Sequence, residues 1–226
     1  MEGHAVVFSI GPLAVTGTVV TTWVVMAVLW ALAVLLTRRL QTDPGPVQTA
    51  LEGVVSAQAE AVEGVIPGGA EGLLPFIGGL WVFLVVANLV GVVPGLSSPT
   101  ADLSATAALA VLVFLASHWY GVRSQGLAAY LRHYLRPSPV LAPFHVVGEV
   151  TRTVALAVRL FGNMMSLELA ALLILLVAGF LVPVPILMLH VIEALVQAYI
   201  FGMLALIYIA GGIQSRQLRA RGEGET

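Results

Sequence analysis

Five apolar runs, each long enough to cross a bilayer, decide the solvent in which this chain folds. Spanning the hydrocarbon takes about 20 helical residues at about 1.5 Å each. The runs extend from about Val15 to Leu36, Leu73 to Val93, Leu103 to Tyr120, Phe144 to Phe180 and Pro185 to Ile213. In hydrocarbon a backbone must satisfy its own N–H and C=O groups, so such runs fold as helices. Of the 226 residues 59% are hydrophobic and 10% charged, with a mean hydropathy of +0.99, a balance that a water-soluble globule could not hide. The expected fold class is an all-α integral membrane protein, with residues 1–226 as a single membrane domain. The fourth run, about 37 residues, exceeds a perpendicular span, so the fourth and fifth helices should form a long, strongly tilted hairpin that wraps a curved partner. The N-terminal run lacks a basic leader and is too long for a cleaved signal, so a retained span is expected.

Between the first two runs, residues 46–66 (PVQTALEGVVSAQAEAVEGVI) place Val, Leu and Ile at helical spacing among Glu52, Glu60 and Glu63. This pattern predicts an amphipathic segment at the membrane interface, with the glutamates as its solvated face. A similar short element, GLAAYLRHYLRP, follows the third run. Orientation follows from the arginines. With the N-terminus outside, the inner segments hold Arg38, Arg39, Arg123, Arg132, Arg136, Arg216, Arg219 and Arg221, whereas PGLSSPTAD and LVPVP outside hold none. The positive-inside rule therefore puts the C-terminus in the cytoplasm, and the short loops favour a bacterial inner (plasma) membrane.

Several function classes drop out. All 10 basic residues are Arg, against 12 acids, so there is no polybasic patch and no nucleic-acid partner is expected. The chain has no Cys, which removes disulfides and thiolate metal sites. Its glycines lack phosphate-binding spacing, so no direct nucleotide binding, no cofactor and no resident metal are expected. Asn88 suits a helix-to-helix hydrogen bond at least as well as a channel lining. Asp102, at the start of the third helix, suits the helix dipole, and His118 with Trp119 suits an interfacial belt.

Two arginines remain, both on the fourth run. Arg152 lies three residues after Glu149 near the inner end, where it can pair and snorkel. Arg159 lies too deep for that. Burying its charge costs from about 2.5 to over 10 kcal/mol, so it needs a partner or a wet cavity. Glu168, the nearest acid in sequence, is about 13.5 Å along the helix and faces the opposite side, whereas Asn163 and Ser166 share the arginine's face. On the fifth run His190, Glu193 and Gln197 are three and four residues apart, one polar stripe on an apolar helix. Titratable groups in register suit a proton or ion path, since His exchanges protons near neutral pH. Counting outward from the turn places Glu168 level with Gln197 rather than His190, a mismatch of about 10 Å.

RLFGNMMSLEL together with HVIEALVQAYIFGML resembles the a subunit, or subunit 6, of rotary F-type ATP synthases. FLVVANLVGVVPG, SPTADLSATAALAVLVFL and GEVTRTVALAVRLFGN are similar to further segments of that family in the same order, and the resemblance extends from about Leu74 to Gly211. It implies a stator subunit of the membrane sector that couples proton or sodium translocation to rotation of a ring of c subunits, through two offset half-channels. The chain itself then performs no chemistry; it is the ion-translocating part of an ATP synthase complex. Arg159 matches the family's arginine facing ring carboxylates, and Gln197 its usual glutamine neighbour. Glu168 and His190 match positions of the outer half-channel, and Asn163 matches the polar residue one turn beyond the arginine. Glu193 has no fixed counterpart and rests on spacing alone. Implied partners are the c-ring, the b subunits of a peripheral stalk, membrane lipid and the translocated H+ or Na+. The compact N-terminal half and Glu193 leave a sodium-type variant, with transient Na+ binding, open.

Two other classes make different demands. A stand-alone ion-coupled secondary transporter would show two related halves or matching broken helices, and a structural membrane scaffold would carry no ring. A voltage sensor would need several deep arginines in series.

Overall fold

The computed structural model describes residues 6–10, 13–38, 45–68, 70–93, 98–127, 130, 142–178 and 184–222. Six helices dominate it: α1 Gly17–Thr37, α2 Pro46–Val65, α3 Ala70–Val90, α4 Leu103–Gln125, α5 Ala142–Ala178 and α6 Val184–Gly222. A 3-10 turn, Pro99–Ala101, precedes α4. All but α2 carry stretches long and apolar enough to cross a membrane, and the chain is a multi-pass, all-α membrane protein. One element was not expected. Strands β1 (Val6–Ile10) and β2 (Leu13–Thr16) pair antiparallel ahead of α1, with a bulge between Val6 and Phe8. α6 continues past Ile213 because its polar, Arg-rich end contains neither Pro nor a β-branched run to stop it. Most of GLAAYLRHYLRP lies outside the described residues.

The core forms where α3, α4 and α5 meet α6. Ile77, Leu84, Leu156, Leu160, Met164, Phe201, Leu206 and Ile209 are fully buried there, and α4 and α6 make the most extensive contact. α1 buries little beyond Thr18 and Val25, and Trp30 and Leu35 stand exposed on it. On a helix in lipid, exposed Leu and Trp carry no penalty, because acyl chains are as apolar as they are.

Caps replace what the bilayer cannot supply. Asp102 is the N-cap of α4, its Oδ1 accepting from Ser104 N at 2.8 Å and Ser104 Oγ at 2.7 Å. Its Oδ2 accepts from Thr18 Oγ1 at 2.8 Å, which ties α1 to the start of α4. Such a cap contributes about 1 kcal/mol. α2 starts with Pro46 in its first turn and ends against α3 with Val62 and Ile66 buried. Glu52, Glu60 and Glu63 are exposed on α2, and Glu63 Oε1 accepts from Gly68 N at 2.7 Å.

α3 and α6 approach closely at Gly202. A Cβ there would fall inside the Trp81 indole, which stacks on Tyr199 with centroids 6.3 Å apart and planes at 6°. Gly202→Val should displace that ring and cost about 1–3 kcal/mol, the usual range for overpacking. Gly211→Ala, where a Cβ meets nothing within 4 Å, should leave stability unchanged. Thermal unfolding of both variants in detergent checks this contrast.

Candidate functional site

At its C-terminal end α3 tightens into i→i+3 bonds, Gly91 N to Asn88 O at 3.3 Å and Val92 N to Leu89 O at 3.0 Å. This brings Asn88 and Gly91 against the 3-10 turn. Asn88 is fully buried; its Nδ2 donates to Ala194 O of α6 at 3.1 Å and its Oδ1 accepts from Thr100 Oγ1 at 2.6 Å. Ser98 Oγ lies 2.6 Å from Thr100 Oγ1 and donates to Ala87 O at 2.9 Å. The helix-to-helix role expected for Asn88 is thus one it plays, and the hydroxyls of SSPT complete the set. These hydroxyls were not singled out from sequence; the signal was a run of short polar residues between two spans.

Glu168, half-buried on α5, joins this cluster through Oε1, which accepts from Ser98 N at 2.7 Å. His190 is 1% exposed and comes to the same place. Measured from a Cβ position built on Gly91, Glu168 Oε1 is 3.2 Å away and His190 Cε1 3.3 Å. The expected mismatch of about 10 Å between Glu168 and His190 is therefore wrong. The physical reason is the register between α5 and α6. Asn163 Nδ2 donates to Gln197 Oε1 at 2.7 Å, which sets residue 163 level with 197. Stepping from that bond toward the C-terminus of α5 and the N-terminus of α6 brings Glu168 level with Ile192, within about 3 Å of rise of both His190 and Glu193. Counting from the turn assumed that the two helices start level there, and they do not.

The part of the site around Gln197 and Arg159 is differently made. Gln197 is 1% exposed, and its Nε2, like His190 Nε2, is buried with no hydrogen-bond partner among the described residues. Asn163 is half-buried, turned from the Arg159 face toward Gln197. Arg159 and Ser166 are exposed on α5. Among the described residues no acid lies within ion-pair distance of Arg159; the ion pair found is Arg152 with Glu149, at 4.0 Å. Arg152 also lies 4.9 Å from the centroid of the Tyr208 ring, a cation–π contact that spacing could not reveal. Glu193 is half-exposed at the edge of the His190–Gln197 stripe, without a hydrogen-bond partner among the described residues. His118 Nδ1 is 2.8 Å from Phe114 O, and Trp119 is exposed.

Two groups of ionisable and polar side chains result. One, Glu168 with His190, is lodged between the C-terminal end of α3, the C-terminal half of α5 and the N-terminal part of α6; the other, Arg159, is exposed on α5. Val154 and Val158 of α5 are also exposed and apolar, as are Ile192, Leu195 and Tyr199 of α6.

Comparison with known proteins gives this geometry a family. The ATP synthase A chain family matches residues 19–210. The chain is 63% identical over 219 residues to ATP synthase subunit a 2 of Pelobacter propionicus, covering 97% of this chain and 96% of that protein. It is 65% identical over 205 residues to ATP synthase subunit a 1 of Hahella chejuensis, covering 91% and 87%. It is 54% identical over 217 residues to ATP synthase subunit a of Legionella pneumophila strain Paris, covering 96% and 94%. With a match that spans most of its length, the chain belongs to the ATP synthase A chain family.

Proposed function

We propose that this membrane-sector subunit of an ATP synthase is a stator that couples translocation of H+ or Na+ to rotation of a c-ring through two offset half-channels. The observation that carries the reading is Arg159, an exposed guanidinium deep in a membrane-spanning helix, with no acid in ion-pair distance among the described residues. A charge left so in hydrocarbon is costly. A neighbour that presents carboxylates to the α5–α6 face would both cover its apolar surface and neutralise the cation.

The chemistry needed from Arg159 is electrostatic. A ring carboxylate reaching the guanidinium releases its ion because the cation stabilises the charged form, whereas ionising it unpaired in hydrocarbon would cost several kcal/mol or more. The same fixed cation repels passing ions, so none crosses between the channels without turning the ring. Arg suits this because its guanidinium stays charged after desolvation. Glu168 and His190, with Glu193 beside them, form the outer path; Asn163 and Gln197 brace each other one turn from Arg159, and Ser166 adds a polar group to the arginine's face. The b subunits of the peripheral stalk hold the chain against the ring's torque. This orientation has the N-terminus outside and the C-terminus cytoplasmic.

Arg159→Ala in the assembled complex should reduce ATP-driven ion pumping to background while the c-ring still copurifies. Wild-type coupling in that variant would refute the assignment, and a chain that carries no ring would favour a scaffold. The absence of Cys makes orientation directly testable. In intact cells a membrane-impermeant maleimide should label Val93→Cys, and it should label Thr49→Cys only after the membrane is opened. The reverse pattern would invert the topology.

A further inference from the structure

Gly91 is the point at which three segments come closest. A Cβ on it would lie 3.0 Å from Ser98 Cβ, 3.2 Å from Glu168 Oε1 and 3.3 Å from His190 Cε1. None of the three neighbours is free to retreat. Ser98 is 3% exposed and bonded through Oγ to Ala87 O and Thr100, His190 is buried, and Glu168 Oε1 is held by the Ser98 main-chain N–H at 2.7 Å. Ser98 has φ −63° and ψ 130°, the extended conformation that a following proline, here Pro99, imposes. In this conformation the Ser98 N–H meets Glu168 Oε1.

We propose that the bare Cα of Gly91 and the main-chain N–H of Ser98 act together as a clamp that positions the Glu168 carboxylate beside the His190 imidazole. The proposal rests on the reading of Glu168 and His190 as the outer ion path. The clamp engages one carboxylate oxygen. Glu168 Oε2 and His190 Nε2 take no hydrogen bond among the described residues, so the atoms able to exchange a proton or meet an ion remain open while the carboxylate is fixed. Gly91 and Ser98 are positioning residues: they act through Glu168 and touch no ion themselves. A methyl group at 91 would press on both the carboxylate and the imidazole, which would have to give by a few tenths of an ångström, and proton transfer is sensitive to displacement of the groups that exchange the proton.

The test uses the complete ATP synthase in lipid vesicles, with ATP-driven ion uptake expressed per complex recovered. Ser98→Pro removes the N–H at a φ that Pro adopts without strain, whereas Ser98→Ala removes only the hydroxyl. Ser98→Pro and Gly91→Ala should each lower uptake about tenfold or more, and Ser98→Ala, which keeps the N–H while losing the hydroxyl that seats it, should lower uptake several-fold less than Ser98→Pro does. Glu168→Asp, one methylene shorter, should impair uptake on its own yet restore part of it in the Gly91→Ala background, a rescue that a purely structural glycine would not show. Equal losses in Ser98→Pro and Ser98→Ala, or failure of both Ser98→Pro and Gly91→Ala to assemble, would overturn the clamp. Wild-type uptake in Ser98→Pro and Gly91→Ala alongside abolished uptake in Glu168→Ala would remove the clamp and leave the outer path standing. Wild-type uptake in Glu168→Ala would remove both.

Discussion

Asn88 binds three segments at once: it sits on α3, donates to the Ala194 carbonyl of α6 and accepts from Thr100 in the turn before α4. The polar contacts at this end of the helices depend on that junction. Thr100 and Ser98 share a hydrogen bond, Ser98 holds Glu168 of α5 through its main chain, and Asp102 just beyond reaches Thr18 of α1. Each such bond is worth about 1 kcal/mol in a membrane, a modest amount. Its larger effect is positional. Leaving any one of these buried groups unpaired costs about 1–3 kcal/mol, so each helix is confined to the depth at which its polar residue meets its partner.

The α5–α6 hairpin around Arg159 is less fully paired. Asn163 bonds Gln197, but Gln197 Nε2 is buried without a partner among the described residues and Arg159 is exposed with no acid in ion-pair distance among them. Apolar side chains of the same two helices are exposed as well, Val158, Ile192 and Leu195 among them. On the proposed function both deficits are met by one partner, a ring whose outer helices are apolar and whose carboxylates pass at the depth of Arg159.

The sequence made the spans legible because lipid imposes one simple requirement, a long apolar run, and Asp102 was legible as a helix-start residue because capping is local. Arg152 and Glu149 were legible for the same reason. The register of α5 against α6 was not, since it depends on how two helices emerge from a turn and on which side chains meet, and only the Asn163–Gln197 contact reveals it. The Gly91–Ser98–Glu168 contact was hidden for a related cause: it joins residues 70 positions apart through a main-chain N–H, a donor that every non-proline residue carries. The β1–β2 pair was hidden by its composition, as VVFSI and LAVT are apolar enough to pass for the approach to the first span.

Glu168 and Arg159 occupy one rigid helix, about 13.5 Å apart along its axis and on opposite sides of it. No rotamer change brings them together, so an ion delivered to Glu168 cannot reach the Arg159 face within this helix. On the proposed reading something else must carry it across, and that carrier has to be mobile, apolar when loaded and anionic when empty. Loaded, it can face lipid; emptied, it is stable only beside a cation. Fixing the entry group on one side of a helix and the cation on the other therefore makes movement of a partner the condition for transport, without any moving part in this chain.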